Sequence, residues 1–340
     1  MTGLPAVPGP LTSTQPIPAP SALPVDYPRH APEADPLRAA LQDLLANRDW
    51  STRSWSELIE DLIGLGRTDI PLARLAEGHI DALRILDQAD RRPQGDGLYG
   101  VWASRSQRTG IKATPEGEGR LRLEGVLRFA SGAGLLDRAL VPVWLSDDTH
   151  LLIDLAVGEL PVDSSRWFTG AMTVSRTHQV TIDTQVNVDD QVGGADFYLQ
   201  RSGFFPGGVG VAACWIGGAA RVLDLVHAVH GQPSPAQQIR LGRMRADLAV
   251  GAATIRATAA LLDRAAAESA ELDWQALSTE ARSGAAEAVR RLITDARLVT
   301  GPAGLAMHEG LAHAIPDLEL YVMQQNSDGD ASFLGDRRLA

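Results

Sequence analysis

The sequence has few of the features that mark several large classes of protein. It contains one cysteine, Cys214, in 340 residues, which excludes an internal disulfide and favours a reducing, cytoplasmic setting. Basic residues number 31 against 42 acidic ones, giving a net charge of -11. Because like charges repel at long range, nucleic acid and anionic membrane surfaces are unfavourable partners. Residues 1–28 also lack the basic start and unbroken apolar segment of a signal peptide.

One uncharged stretch, residues 202–220, raises the question of a membrane span. Its 19 residues are enough in length, but a proline and six glycines lower its hydrophobicity and Arg221 follows at once. We therefore interpret it as a buried loop and the start of a helix.

The N-terminal part of the chain divides into a tail and a short helical region. Residues 1–35 are rich in proline and predict an extended, disordered tail. Over residues 36–96 apolar residues recur at helical spacing, and Ser54 followed by Glu57 predicts a capping box. A third helix is expected to begin near residue 69, with His79 as the polar member of its inward stripe. His79 is either a satisfied core residue or a group that faces a cofactor pocket.

The sequence pattern of the remaining residues predicts strands first and then helices. Residues 97–200 carry short alternating or β-branched runs separated by turn residues, which predict an antiparallel sandwich or barrel. Residues 201–340 are again helical, and many inward positions are Gly or Ala, which lets helices pack closely. The order helices, strands, helices indicates an α+β fold rather than alternating βαβ units.

Three segments in the right order resemble the acyl-CoA dehydrogenase family. They are LEGVLRFASGAGLLDRALV at 123–141, the glycine-rich helix and loop at 203–244, and LVTGPAGLAMHEGLAHAIPDLELYVMQQ at 298–325. The resemblance implies N-terminal helices, a central antiparallel β domain and an up-down C-terminal helical bundle. It also implies FAD bound between the last two, an acyl-thioester or other small-molecule substrate, and a homodimer or homotetramer.

The resemblance assigns several residues to the cofactor. Phe129 occupies the place of an aromatic residue near the flavin ring, and Ser131 that of a hydroxyl bonded to it. Trp102 stands where the family has a threonine that contacts flavin, and Gly301 and Gly304 resemble the tight turn that approaches the cofactor. The alternative is that Phe129 is an ordinary core residue and Ser131 an ordinary turn residue.

Two further positions belong to the dinucleotide half of the cofactor. Gln238 matches a family glutamine, whereas His227 replaces an arginine. A charge-assisted hydrogen bond contributes about 1.5 to 3 kcal/mol, so the loss of that arginine predicts weak or absent FAD binding.

The family's catalytic carboxylate is missing. It lies eight residues beyond the aspartate matched by Asp317, where this chain has Gln325, and some members place it before an arginine, where the chain has Gln200 and Arg201. An amide cannot take up the substrate's proton, and losing a positioned base costs about 10²- to 10⁴-fold in rate. Of the three, we favour Arg201 as the residue that touches substrate, as an anion-binding or electrophilic group; a surface salt bridge is the alternative.

Two functions remain open from the sequence. The first is an FAD-dependent oxidoreductase with a changed or lost base, acting on CH-CH groups or related to the flavin monooxygenases of the same fold, with an electron-transfer protein as candidate partner. The second is a catalytically retired protein of this fold that binds or assembles with others. No metal is expected, because His308 and His313 are one residue too far apart for the H-E-x-x-H zinc motif.

Overall fold

The computed structural model describes residues 35–46, 49–104, 109–229, 231–270 and 272–337. Apart from residue 35, the predicted tail lies outside the described residues, as does most of the loop that follows Trp102.

The described part of the chain begins with three helices, each opened by a side-chain cap. Ser54 forms the predicted capping box: its Oγ accepts the N–H of Glu57, and the Glu57 carboxylate accepts the N–H of Ser54. Asp69 caps the third helix, whose first turn contains Pro71. The three helices are α1 Pro36–Leu45, α2 Trp55–Thr68 and α3 Ile70–Gln88.

His79 on α3 is partly buried and hydrogen-bonded, which fits the first of the two roles considered for it. Its Nδ1 accepts the backbone N–H of Tyr99 at 3.0 Å, and burial lowers its pKa to about 4. The ring is therefore neutral at physiological pH, and it ties α3 to the first strand of the sheet.

Within the described ranges eight strands form a single sheet in the order β6-β7-β3-β2-β4-β5-β8, with β1 beside β4. Most neighbours are antiparallel as predicted, but β1 and β2 both run parallel to β4. Both parallel partners precede the turn at 131–137 that leads into β4. The strands are β1 Tyr99–Val101, β2 Gly110–Pro115, β3 Arg120–Ala130, β4 Arg138–Trp144, β5 His150–Ala156, β6 Val162–Asp163, β7 His178–Asn187 and β8 Gln191–Val192.

Six further helices complete the described chain, and the long ones pack side by side. Helix α7 is interrupted at Gly301, which adopts φ 59° and ψ -169° and is followed by Pro302. That backbone conformation favours glycine and bends the chain where the sequence predicts a tight turn. The helices are α4 Phe197–Gln200, α5 Phe204–Val229, α6 Pro235–Glu268, α7 Trp274–Met307, α8 Glu309–Val322 and α9 Ser327–Gly335.

Helix α5 is the centre of the helical core, and glycine makes its contact with α2 possible. A Cβ on Gly217 would lie 2.2 Å from the carbonyl oxygen of Ile63, and one on Gly66 would lie 2.3 Å from that of Cys214. The predicted close approach of helices through small residues is confirmed. Within the described residues α5 alone is long and apolar enough to cross a membrane, and 78% of its most apolar stretch is buried inside the protein. Packing against other helices thus accounts for its apolar composition.

Candidate functional site

A β-bulge at the end of β3 turns an aromatic side chain out of the sheet. Leu127 pairs with Val180 and Ala130 with His178, so two residues of β3 oppose one residue of β7. One of these two, Phe129, has a φ of 60° and a side chain that is 51% exposed. A left-handed conformation at a bulky residue costs about 1 kcal/mol or more, and bulges near functional sites commonly redirect a side chain. We take this bulge as the starting point of the candidate site.

The bulge forms one wall of a cavity of about 270 Å³, which we call the bulge pocket. The rings of Phe129 and Trp167 meet edge to face, with centroids 6.2 Å apart and planes at 82°. Edge-to-face packing is a favourable geometry for aromatic pairs and gives the pocket an apolar, planar wall. Its lining residues are Arg128, Phe129, Arg166, Trp167, Thr177, His178 and Gln179.

The rest of the lining is polar and carries positive charge. Arg128 and Arg166 contribute two guanidinium groups, and His178 and Gln179 add an imidazole and an amide. Thr177 contributes a hydroxyl. None of the described residues in this lining is acidic, and their positive charge favours a planar ligand that also has anionic or hydrogen-bond-accepting groups.

Behind the pocket wall, hydroxyl groups form a directed chain. The Oγ atom of Ser131 lies 3.0 Å from Oγ1 of Thr177, which lies 2.7 Å from Oγ of Ser175. Ser175 donates its hydrogen to the carbonyl oxygen of Met172 at 2.7 Å. Because each hydroxyl has a single hydrogen, Thr177 donates to Ser175 and Ser131 donates to Thr177. Ser131 is therefore buried one hydrogen bond behind the pocket and keeps its lone pairs as acceptors.

Helix α8 holds the loop that carries Trp167. The backbone N–H of Met172 donates to Oδ1 of Asp317 at 2.5 Å, and the indole N–H of Trp167 donates to the carbonyl of Ala171 at 2.9 Å. Burial raises the pKa of Asp317 to about 6, although the hydrogen bond from Met172 opposes the rise. Asp317, the residue that matches the family's aspartate, thus helps to position the Trp167 wall of the bulge pocket.

Gln325 is buried among the C-terminal helices, and both ends of its amide are hydrogen-bonded. Its Oε1 accepts from Arg290 at 2.8 Å, and its Nε2 donates to Asp330 at 2.8 Å and to Ser283 at 3.4 Å. It does not line the bulge pocket. In this structure the residue at the predicted catalytic position links α7 to α9.

The other two predicted catalytic residues lie at the end of α4. Arg201 is buried against α3, where its guanidinium reaches Gln88 at 3.2 Å and Asp81 at 3.4 Å. It also stands over the ring of Tyr198, 5.5 Å from the centroid. Gln200 is exposed. Neither residue lines the bulge pocket.

The four residues predicted to serve the dinucleotide or its turn lie along the C-terminal helices. His227 is exposed in the last turn of α5, and Gln238 is exposed near the start of α6. The neighbouring Gln237 donates to the carbonyl of Val299 at 3.2 Å, which brings the start of α6 beside the Gly301 bend. Gly304 follows the bend, where a Cβ would lie 2.4 Å from Cβ of Thr300. None of these residues shares the bulge pocket with Phe129.

Trp102, predicted to stand beside flavin, lies between the bulge pocket and a second cavity. Its side chain is buried, and its indole N–H donates to the carbonyl oxygen of Ser131 at 2.8 Å. On its other side it lines a second, smaller cavity of about 40 Å³, which we call the aromatic crevice. The lining of the crevice is Trp102, Ala103, Ser104, Gly110, Leu127, Pro142, Trp144, His150, Tyr198 and Leu199.

The aromatic crevice contains a histidine that the sequence analysis missed. His150 is buried, and its Nδ1 lies 3.0 Å from Oδ1 of Asp196. The same oxygen accepts the backbone N–H of His150 at 2.9 Å, and the N–H of Asp196 donates to the carbonyl of His150 at 2.8 Å. The two residues are separated by 46 positions, so a search for local sequence motifs does not find the pair.

His308, considered above as a metal ligand, caps α8 by accepting the N–H of Leu311 at 3.4 Å. Across the described ranges no three His, Cys, Asp or Glu side chains converge as a metal site would require.

No protein-family model matches the sequence, and no curated protein matches it. Solved structures do match. TdsC from Paenibacillus sp. A11-2, in a complex with FMN and indole, is 18% identical with a TM-score of 0.75, over 88% of both chains. XiaF from Streptomyces sp., in complex with FADH2 and glycerol, is 16% identical with a TM-score of 0.71, over 87% of this chain and 84% of XiaF. The HsaA monooxygenase from M. tuberculosis is 13% identical with a TM-score of 0.71, over 88% and 89%. The chain therefore has the acyl-CoA dehydrogenase-like fold that the sequence predicts.

Proposed function

We propose that this chain is a flavin-dependent oxidoreductase that holds the flavin ring in the bulge pocket. The observation that carries the proposal is the strained bulge, which exposes Phe129 and sets it against Trp167 over a cavity with a cationic, hydrogen-bonding lining. Chains of the same fold are solved with FMN or FADH2. That shared fold supports a flavin as the cofactor class.

The chemistry of the pocket suits the two halves of an isoalloxazine ring. Its dimethylbenzene half is apolar and would pack against Phe129 and Trp167. Its pyrimidine half carries oxygen and nitrogen acceptors, which Arg128, His178 and Gln179 would meet with N–H donors. Positive side chains at that edge would favour the anionic reduced ring. When bound, flavin supplies two-electron redox chemistry and, once reduced, reactivity toward dioxygen.

The second half of the proposal concerns the cofactor's tail and the assembly. FAD is the form that the family resemblance implies, with His227, Gln238, Gly301 and Gly304 serving its dinucleotide partly across a subunit boundary. Apolar residues flank these positions, and Ile239 and Leu298 are 60% and 58% exposed. Such exposure supports a homodimer or homotetramer that covers them. A single monomeric species in sedimentation experiments at micromolar concentration would count against this assembly.

The reaction we favour needs no carboxylate base. Gln325 and Gln200 are amides, and Gln325 is fully engaged by its neighbours. Removal of an alpha proton from an acyl thioester is therefore poorly supported, whereas oxygenation of a small molecule by reduced flavin is compatible with both glutamines. We propose such an oxidation in the cytoplasm, with electrons delivered by a partner protein.

The alternative is a protein of this fold that has lost catalysis and acts by binding. Two observations favour it: Gln325 is hydrogen-bonded to neighbouring helices, and Trp102 replaces a flavin-contacting threonine of the family. A flavin titration separates the two functions.

The experiment titrates cofactor-free protein with FMN and with FAD, following flavin fluorescence and induced visible circular dichroism. Phe129→Ala and Trp167→Ala each remove one aromatic wall, and we expect at least about tenfold weaker binding from each, or about 1.4 kcal/mol. Phe168→Ala is the matched control, because Phe168 is 89% exposed beside Trp167 and does not line the pocket. Absence of flavin uptake by the wild-type protein would refute the enzyme and favour the binding protein.

A further inference from the structure

We propose that Ser175, which does not belong to the lining of the bulge pocket, makes the hydroxyl of Thr177 accept hydrogen bonds from a ligand and never donate them. As a result the pocket binds reduced flavin more tightly than oxidised flavin. This inference rests on the proposed function, because it concerns the ligand of the same pocket. Ser175 acts through Thr177 and is therefore a positioning residue.

Ser175 ends the hydroxyl chain at an acceptor that cannot be reversed. Its Oγ–H donates to the carbonyl oxygen of Met172 at 2.7 Å, and a carbonyl oxygen has no hydrogen to donate in return. The single hydrogen of Ser175 is used there, so Thr177, 2.7 Å away, donates to Ser175. The hydrogen of Thr177 is then used as well, and Ser131, 3.0 Å from Thr177, donates to it.

The backbone around Ser175 holds this end of the hydroxyl chain in place. Ser175 is fully buried, and its N–H also donates to the carbonyl of Met172, at 3.1 Å. Met172 and Arg176 flank the turn with left-handed φ angles of 55° and 45°, which bulky residues keep only where neighbouring contacts enforce them. Those contacts come from Asp317, which accepts the N–H of Met172, and from Asp35, which pairs with the Arg176 side chain.

Thr177 is the member of the hydroxyl chain that lines the bulge pocket. Its hydroxyl donates to Ser175 and accepts from Ser131, so only a lone pair remains for a ligand. An N–H group of a ligand can bond to that lone pair. A ligand atom that is itself an acceptor meets no hydrogen there, and an acceptor that loses water without gaining a donor is destabilised.

The two redox states of flavin differ in the groups that they present. The oxidised isoalloxazine ring has a single N–H and several nitrogen and oxygen acceptors, and two-electron reduction turns N5 from an acceptor into an N–H donor. A hydroxyl that only accepts therefore favours the reduced ring. The positively charged lining favours it too, but substitutions within the hydroxyl chain leave every charge in place and so separate the two causes.

The experiment measures the dissociation constants of oxidised FMN and, without oxygen, of reduced FMN on the full-length protein. Ser175→Ala removes the acceptor that takes the hydrogen of Thr177, so this hydrogen becomes available to the ligand. We expect the ratio of the two constants to shift toward oxidised FMN by about 3- to 10-fold, the effect of one neutral hydrogen bond. The midpoint potential of bound FMN should fall by about 15 to 30 mV, since tenfold corresponds to about 30 mV for two electrons.

Two further variants and a control accompany Ser175→Ala. Thr177→Val removes the lone pair and should shift the ratio in the same direction, which also covers a Ser175→Ala protein that fails to fold. Thr177→Ser restores the hydroxyl and should restore the wild-type ratio. Ser278→Ala is the matched control, because Ser278 is also buried, at 1% exposed, but lies on α7 outside the pocket lining.

The outcomes distinguish this inference from the proposed function. If Ser175→Ala or Thr177→Val weakened both redox states equally, or left their ratio unchanged, the residues would have a structural role only and the inference would be wrong, while flavin binding itself would stand. If the wild-type protein bound neither form of FMN, the flavin pocket would be refuted and the inference with it.

Discussion

An aromatic side chain at the end of β3 is exposed on a strained backbone, whereas a polar side chain just after α8 is buried and hydrogen-bonded. At the end of β3 a strained backbone holds the Phe129 ring half exposed over a cavity. Just after α8 the Gln325 side chain is buried, and its amide is hydrogen-bonded through both oxygen and nitrogen. Strain and exposure persist only where the surrounding structure enforces them, whereas a saturated buried amide is an ordinary device for holding helices together. We therefore propose that the sheet side binds the ligand and that Gln325 on the helical side contributes to stability.

The largest expected effect tests the stabilising role of Gln325. Gln325→Leu leaves Arg290 and Asp330 without their shared partner, so we expect the free energy of unfolding to fall by about 2 to 3 kcal/mol. Flavin affinity of the folded protein should not change. Urea unfolding and flavin titration measure the two quantities.

Gln200→Leu is the matched control for that substitution. Gln200 is exposed, and exposed substitutions usually change stability by less than about 0.5 kcal/mol. If instead Gln325→Leu abolished flavin binding while leaving stability intact, the division between the two regions would be wrong.

A smaller effect is expected at Asp317, which links the two regions through the N–H of Met172. Burial raises the pKa of Asp317 to about 6 from its ordinary value of 3.8. Between about pH 4 and 6 the folded protein therefore holds this proton more tightly than the unfolded chain, and the stability contributed by the protonated form is lost as pH rises. Asp317→Asn keeps an oxygen for the Met172 N–H but does not titrate.

We expect the stability of Asp317→Asn relative to the wild type to increase with pH, by at most about 3 kcal/mol between pH 4 and pH 7. Urea unfolding over a pH series measures this difference, and Asp148→Asn, at an exposed position, should show no such trend. A difference that stays constant with pH would show that Asp317 is not protonated preferentially in the folded state.

The sequence predicted the fold well because its signals there are local. The capping box at Ser54, the cap at Asp69 and the bend at Gly301 each depend on a few adjacent residues. The order of the predicted helices and strands along the chain then gives the α+β class.

The sites could be predicted only in part, because they depend on contacts between distant residues. Phe129 and Ser131 are two apart, a spacing that places side chains on one face of a regular strand, but the bulge exposes the first and the turn after it buries the second. Whether a bulge forms depends on the register with β7, which periodicity does not reveal. The pairing of His150 with Asp196 likewise appears only once β5 and the residue before α4 are brought together.

The smallest expected effect comes from removing one positive charge, that of Arg166, from the lining of the bulge pocket. Arg166 lines the bulge pocket, but its side chain is 69% exposed and its Nε lies 3.9 Å from Asp163. Exposed charges act weakly and are screened by salt, so Arg166→Gln should weaken flavin binding by only about two- to threefold at low salt. At about 0.5 M salt the difference should vanish, because the Debye length is then shorter than the pocket. Arg92→Gln, an exposed arginine outside the pocket, controls for net charge. A tenfold, salt-independent loss would instead mean that Arg166 contacts the flavin directly and is buried by it, which would extend the site from the bulge onto the loop that Asp317 anchors.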